Sequence, residues 1–192
     1  MLTNYLRNCQ PRFAGVNPSI FIGEASKAWD ITFSGNTITA IVSDETPAEK
    51  MQEFQAEPHT VSFGSEGEWG NSGFETQTIT ARFGKASDAL DTAVKNLKKS
   101  LVCGVFVIYI DNNKKGWLVG LAPTNEDFYN DYFRKLTTNF NTGESVEDVD
   151  EGDTLFVELS RESATGKYPL ATALVNTILA KDAAFINYAT SE

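Results

Sequence analysis

Hydrophobic and polar residues alternate along residues 74–84, FETQTITARFG, with the period of two that is typical of a half-buried β-strand. One predicted face is polar and carries Thr76, Thr78 and Thr80. The opposite face carries apolar side chains such as Ile79. We therefore expect this strand to pack on a core with one face and to leave the other face to water or to a polar partner.

Other segments with strand-like patterns predict a mainly β domain of about eight strands. The run at 105–109 is continuously apolar, which predicts a strand buried on both faces. The polar turn at 111–116 then leads into an apolar run built on Trp117. The remaining predicted strands lie at 20–23, in a hairpin over 29–42, at 59–63, near the end of 128–143 and at 154–160.

One helix is predicted over 88–100, because apolar residues recur there every three to four positions and the opposite face is charged. Ser87 is a suitable N-cap, and Asp88 lies where the helix dipole favours an anion. The segment 170–188 also has a helical pattern at its start, and it fits either a helix or an extended arm.

The chain of 192 residues suits a single domain over 1–192. We expect an N-terminal arm over 1–18, a core over 19–168 and a C-terminal arm over 169–192. The expected fold class is α+β, mainly β: an antiparallel β-sandwich or barrel with one flanking helix at about 88–100 and extended terminal arms. The glycine-rich stretch 64–73 is predicted to be a contact loop.

The net charge of −10 argues against a protein that binds DNA through a basic face. An acidic surface does suit a conduit through which DNA must pass without binding to the wall. The sequence has neither a run of about 20 apolar residues, as a membrane span requires, nor an N-terminal signal pattern. We therefore expect synthesis in a cytosol, where Cys9 and Cys103 remain free thiols.

No catalytic, cofactor or metal site is predicted. His59 is the sole histidine and is interpreted as a surface or structural residue. The acidic stretch 144–153 does not match the calcium-loop pattern. Weak cation binding by its carboxylates remains an open alternative. ATGKYP, at 164–169, lacks the remaining residues of a phosphate loop. Three tryptophans are interpreted as core or interface residues rather than a sugar-binding platform: Trp29, Trp69 and Trp117.

The segment TQTITARFGKASDALDTAVKNLKKSLVCGVFVIYIDNNKKGWLVG runs from a polar-faced strand through a helix and a buried strand to a polar turn and an aromatic strand. In this order of elements the chain resembles the tail tube proteins of tailed bacteriophages, including forms from phages and prophages of Bacteroidetes. The resemblance spans roughly residues 30–160 and consists of the pattern rather than of an invariant motif.

The resemblance implies a non-enzymatic virion protein, assembled in the host bacterial cytoplasm, whose copies form stacked and often sixfold rings. Its partners would be itself and other virion proteins, with DNA as passing cargo, no cofactor and no membrane. Thr76, Thr78 and Thr80 would line the lumen. Loop residues would contact neighbouring subunits, and we expect these to be Glu66, Trp69, Asn71, Asn112, Asn113 and Lys114.

Three alternatives remain open from the sequence. A phage ring, adaptor or capsid-associated protein would show the same sandwich and arms. A carbohydrate- or protein-binding sandwich would bind its ligand as a monomer, around Trp29 or Trp69. An enzyme with a pair of carboxylates is the third alternative, since any two acids can converge in a fold.

Overall fold

The computed structural model describes residues 15–67, 75–84, 88–121, 132–141, 154–163 and 166–189. These residues form twelve strands and two helices. In chain order the elements are β1 (Val16–Glu24), β2 (Trp29–Ser34), β3 (Thr37–Ser43), β4 (Met51–Gln55), β5 (Ser62–Glu66), β6 (Glu75–Phe83), α1 (Asp88–Ser100), β7 (Val105–Asp111), β8 (Gly116–Val119), β9 (Lys135–Asn141), β10 (Thr154–Ser163), β11 (Tyr168–Pro169), α2 (Thr172–Leu179) and β12 (Ile186–Asn187).

A six-stranded sheet in the order β11-β8-β7-β1-β4-β12 forms the central layer. Its strands pair antiparallel, except that β12 runs parallel to β4. Both faces of β7 are buried, as its continuous apolar run predicts. One face of this sheet packs against the β2–β3 hairpin and α2, with Phe106 and Ile108 in that core cluster.

The second sheet has four antiparallel strands in the order β5-β6-β10-β9. Its apolar face joins the other face of the central sheet and α1 in one core cluster, which includes Ile79 of β6, Leu159 of β10, Val107 of β7 and Leu97 of α1. The expected α+β, mainly β fold with antiparallel sheets is thus confirmed. Helix α1 has the predicted bounds, and its predicted N-cap Ser87 lies outside the described residues.

Strand β4 was missed by the sequence patterns, because each of its faces carries a single apolar residue beside polar ones. Met51 and Glu53 share one face, and Gln52 and Phe54 share the other. Strand β5 begins at Ser62, three residues later than predicted. Strand β1 begins before the predicted 20–23 and takes the last residues of the expected arm 1–18 into the central sheet.

The C-terminal segment is not an extended arm over its described residues, 166–189. Helix α2 and strand β12 pack into the core, where Val175, Ile178 and Ile186 are buried. Gly116 permits this packing, since a Cβ there would lie 2.7 Å from Cγ2 of Val175. The structure thus has the predicted flanking helix α1 and a second helix, α2, at the start of 170–188, where the pattern fits a helix; apolar residues of α2 cover the face of the central sheet opposite α1.

Candidate functional site

The polar face predicted for β6 is present in the structure. Thr76, Thr78 and Thr80 are exposed or half-buried, whereas Gln77 and Ile79 between them are buried. The alternation fixes this arrangement, because successive side chains of a strand point to opposite sides of the sheet. The lumen-facing role expected for the three threonines stays a prediction.

Neighbouring strands extend this polar face across the sheet. The residues paired with the three threonines on β5 are Glu66, Gly64 and Ser62, and those on β10 are Glu162, Ser160 and Glu158. The pairing of β10 with β9 adds Lys135 and Thr137 to the same face. The hydroxyl oxygens of Ser62 and Thr80 lie 2.6 Å apart. We define the polar face by these outward residues together with Arg82, Phe156 and Asn139, which pair with one another in the next row of β6, β10 and β9. Hydroxyl-bearing and acidic residues predominate on it, and Phe156 is its one large apolar residue.

The two outer strands of this sheet, β5 and β9, each have one strand neighbour among the described residues. They are five and seven residues long. The central sheet, in contrast, ends in β11 and β12, which have two residues each. Short edges resist pairing with another chain, whereas longer edges present rows of backbone donors and acceptors. The four-stranded sheet therefore offers the two edges that are best suited to pairing with another chain.

The turn between β7 and β8 is an exposed tip. Asn112, Asn113 and Lys114 are exposed, as expected for contact residues. The carboxylate of Asp111 accepts hydrogen bonds from the backbone N–H groups of Asn113 and Lys115, each at 2.9 Å. These bonds hold the tip in one shape.

The other predicted contact residues lie in and after β5. Glu66 is exposed at the end of β5, and Trp69 and Asn71 lie outside the described residues. Glu66 and the turn residues belong to different sheets. Those of the predicted contact residues that the structure describes thus lie on two separate elements, and their contact role stays a prediction.

A lysine and three aromatic rings join the two sheets next to the β5 edge. Lys167 Nζ lies 4.1 Å from the ring centroid of Trp117, 5.3 Å from that of Phe63 and 3.4 Å from the hydroxyl oxygen of Tyr109. Phe63 and Tyr109 stack at 5.2 Å. Burial lowers the pKa of Lys167 and raises the pKa of Tyr109, and the charge of Asp111 raises both. The cluster anchors β5 to the central sheet through a cation–π contact.

A buried polar pair lies inside the four-stranded sheet. Arg161 of β10 faces Gln77 of β6, and its guanidinium donates from Nε and Nη2 to Gln77 Oε1 at 2.9 and 2.6 Å. The guanidinium also lies 5.5 Å from the ring centroid of Phe133. Sequence reasoning missed both residues, although strand alternation from Ile79 and Leu159 places them on the inner face.

The residues considered for chemistry are not brought together. His59 is exposed in a turn with a φ of +65°, outside the strand predicted there. Trp29 is half-buried against Phe106 and donates its indole N–H to the Glu24 carbonyl, so it does not form an open platform. Within the described residues no His, Cys, Asp and Glu side chains group to hold a metal. Cys103 is an exposed free thiol, and Cys9 lies outside the described residues.

A cleft of about 510 Å³ lies between α1 and strands β1 and β4. Ile22, Phe54 and Leu97 contribute apolar lining, and Glu24 accepts a hydrogen bond from Ser100 at its rim. The size suits a small ligand.

Comparison of the chain with protein-family models, curated proteins and solved structures finds no match. Neither of the two described helices has the length and apolar character needed to cross a membrane.

Proposed function

We propose that this chain is a non-enzymatic virion structural protein whose copies assemble into stacked rings, forming a phage tail tube through which DNA passes. The observation that carries the proposal is a four-stranded sheet with one polar face, whose edge strands of five and seven residues have no further strand neighbour among the described residues. Such a sheet is completed by further copies of itself, because an edge strand pairs readily with another edge strand.

The strand directions favour a closed ring. Three antiparallel steps separate β5 from β9, so these two edges run in opposite directions. A copy rotated about an axis along the strands would present its β9 antiparallel to β5 of its neighbour. The same joint then repeats around the axis and leaves no open edge in a completed ring.

The size of such a ring is adequate for DNA. Four strands about 4.8 Å apart give each copy a width of about 19 Å. The sixfold symmetry implied by the resemblance gives a circumference of about 115 Å and a diameter of roughly 37 Å between opposite strands. A DNA duplex fits inside, with side chains on all sides.

The polar face is suited to contact with passing DNA. It carries three glutamates, Glu66, Glu158 and Glu162, against two bases, Arg82 and Lys135. Binding to phosphates requires an excess of Lys and Arg, since cation release supplies the affinity. Hydroxyl groups with a small excess of acidic residues give a hydrated surface that does not retain DNA. This distribution supports placing the polar face towards the lumen.

Contacts between stacked rings are proposed for the exposed turn Asn112–Lys114. Two to four charged residues inserted after Asn113 should leave the monomer folded, because the tip is exposed. Rings should still form, but stacking into tubes should stop. Tubes of normal length from the insertion variant would show that the turn is not an axial contact.

The test of the proposal is negative-stain electron microscopy of purified protein, together with light scattering over a concentration series. We expect hollow rings or tubes. Rings that never stack, even beside other proteins of the source particle, would favour the ring or adaptor alternative. Protein that remains monomeric at all concentrations and binds a small ligand in the cleft beside α1 would instead support a ligand-binding module.

A further inference from the structure

We infer that the joint between neighbouring copies contains an ion pair between Glu66 of β5 in one copy and Lys135 of β9 in the next. The inference rests on the proposed ring assembly and specifies its lateral contact. It follows from three properties of the two edge strands: the side of the sheet to which their side chains point, their length and their charge.

The side of the sheet to which the side chains point restricts the register in which β5 of one copy can pair with β9 of the next. Within one copy, Ser62, Gly64 and Glu66 point to the same side of the sheet as Lys135 and Thr137. A register shift by one residue would turn one strand over and expose its core face. The polar face therefore continues across the joint only in registers that differ by steps of two.

The length of the strands leaves two such registers. When the copies pair antiparallel, all five residues of β5 find partners in β9 only if Glu66 lies opposite Lys135 or opposite Thr137. Every other register that preserves the faces leaves at least two residues of β5 unpaired. Because each unpaired backbone group forfeits a hydrogen bond, these two registers are favoured.

Both registers bring the same charges together. In the first, the Glu66 and Lys135 side chains are direct cross-strand neighbours, and in the second they are diagonal neighbours about 7–8 Å apart, within reach of long side chains. Glu66 is the one acid of β5 and Lys135 the one base of β9, and neither strand has a further charged residue. Both side chains are exposed, and neither takes part in the ion pairs of the described residues.

Charge reversal tests the pair. Glu66→Lys and Lys135→Glu place like charges at every joint, so each should raise the concentration for half-assembly by about tenfold or more. The double variant restores the pair with its signs exchanged and should assemble within about threefold of the wild type. The neutral variants Glu66→Gln and Lys135→Gln should weaken assembly less. Added salt should reduce the differences in half-assembly concentration between the variants and the wild type, because it screens the charges.

Matched controls separate the pair from general charge effects. Asp30→Lys makes the same reversal of charge at an exposed position of β2, outside the four-stranded sheet. Lys50→Glu makes the opposite change at an exposed position directly before β4 of the central sheet. Both controls should assemble close to the wild type, and circular dichroism melting curves should show that every variant is folded.

The outcomes distinguish the two proposals. Wild-type protein that never forms rings would overturn the proposed function and this inference with it. Rings that form normally from the single reversal variants, or a double variant that assembles no better than the singles, would overturn the ion pair and leave the ring proposal standing.

Discussion

The ammonium group of Lys167 lies 4.1 Å from the centre of the Trp117 ring. Trp117 belongs to the central sheet, and the same ammonium lies 5.3 Å from the Phe63 ring on β5. One cation thus contacts aromatic rings from both sheets. The open edge β5 is held in place by this contact as well as by its pairing with β6.

Replacing Lys167 with Met should lower the free energy of unfolding by about 1 kcal/mol, because the cation–π contacts and the hydrogen bond to Tyr109 are lost while the apolar stem is kept. Urea unfolding monitored by tryptophan fluorescence measures this change. Lys115→Met removes an exposed ammonium at the nearby turn and should change stability by less than about 0.5 kcal/mol. Equal losses in both variants would contradict the role of the cluster.

The phenol of Tyr109 should make the fold sensitive to alkaline pH. Burial raises its pKa above the ordinary value of about 10, so the folded protein keeps a proton that the unfolded chain releases. This contribution to stability is complete below pH 10 and is lost as the pH rises, at up to about 1.4 kcal/mol per pH unit. Tyr109→Phe should therefore flatten the decline in stability between pH 9 and about pH 11.

The comparison is best made in a Lys167→Met background. Burial lowers the pKa of Lys167, which acts with the opposite sign, since the unfolded chain then binds the additional proton and stability rises towards pH 10.5. Burial also raises the pKa of Tyr188, so some decline should persist in the Tyr109→Phe variant. Identical pH profiles with and without the Tyr109 hydroxyl would contradict this prediction.

Local periodicity predicted the strands and the helix that have one mainly apolar face and one mainly polar face. Strand β6 and helix α1 were found with nearly correct bounds, because each buries one mainly apolar face and exposes a polar one. Strand β4 was missed, since its Glu53 and Gln52 interrupt both faces. The burial of Glu53 depends on Lys181 and Ala189, which no pattern within β4 can reveal.

The candidate site, meaning the polar face and the edges of the four-stranded sheet, was predictable only in part, because local periodicity reveals only what lies within one segment. The polar face follows from the alternation around Thr78 alone. The open edges follow from the strand order, which depends on pairing between segments far apart in the chain. The cluster of Phe63, Tyr109, Trp117 and Lys167 joins three strands and the residue before β11, so the sequence contains no local signal for it.

Gln77 and Arg161 should behave as a coupled pair. Gln77→Leu removes the oxygen that accepts two hydrogen bonds from the buried guanidinium, and it should cost about 2–3 kcal/mol of stability. The double variant Gln77→Leu with Arg161→Met replaces both polar groups by apolar groups of similar size and should recover part of this loss. Additive losses in a double-mutant cycle from chemical unfolding would show that the two residues act independently.

The carboxylate of Glu53 should fasten the C-terminal segment. Its side chain is 2% exposed, accepts hydrogen bonds from Ser19 Oγ at 2.7 Å and the Ala189 N–H at 2.8 Å, and lies 3.8 Å from Lys181 Nζ. Glu53→Gln keeps the size but turns an N–H group towards these donors, so it should cost about 2 kcal/mol. Hydrogen exchange over 181–189 should rise.

The matched control is Glu49→Gln, which breaks the half-exposed ion pair with Lys27. Such pairs contribute little, so we expect a loss below about 0.5 kcal/mol and unchanged exchange over 181–189. If Glu53→Gln leaves the exchange of that segment at the wild-type level, the carboxylate does not secure it.

The polar face should control whether assembled particles retain DNA. Thr78→Lys with Thr80→Lys adds two cations per copy on β6, one of the two inner strands of the four-stranded sheet, so a ring would present them as a basic belt around its lumen. Particles assembled in the presence of a short labelled duplex should then retain DNA with an affinity that falls steeply as salt increases, whereas wild-type particles should release it. Thr32→Lys with Ser34→Lys adds the same charge to the exposed side of β2 and should not retain DNA to this extent. Equal retention by both double variants would mean that DNA binds outer surfaces, and the polar face would then not line the conduit.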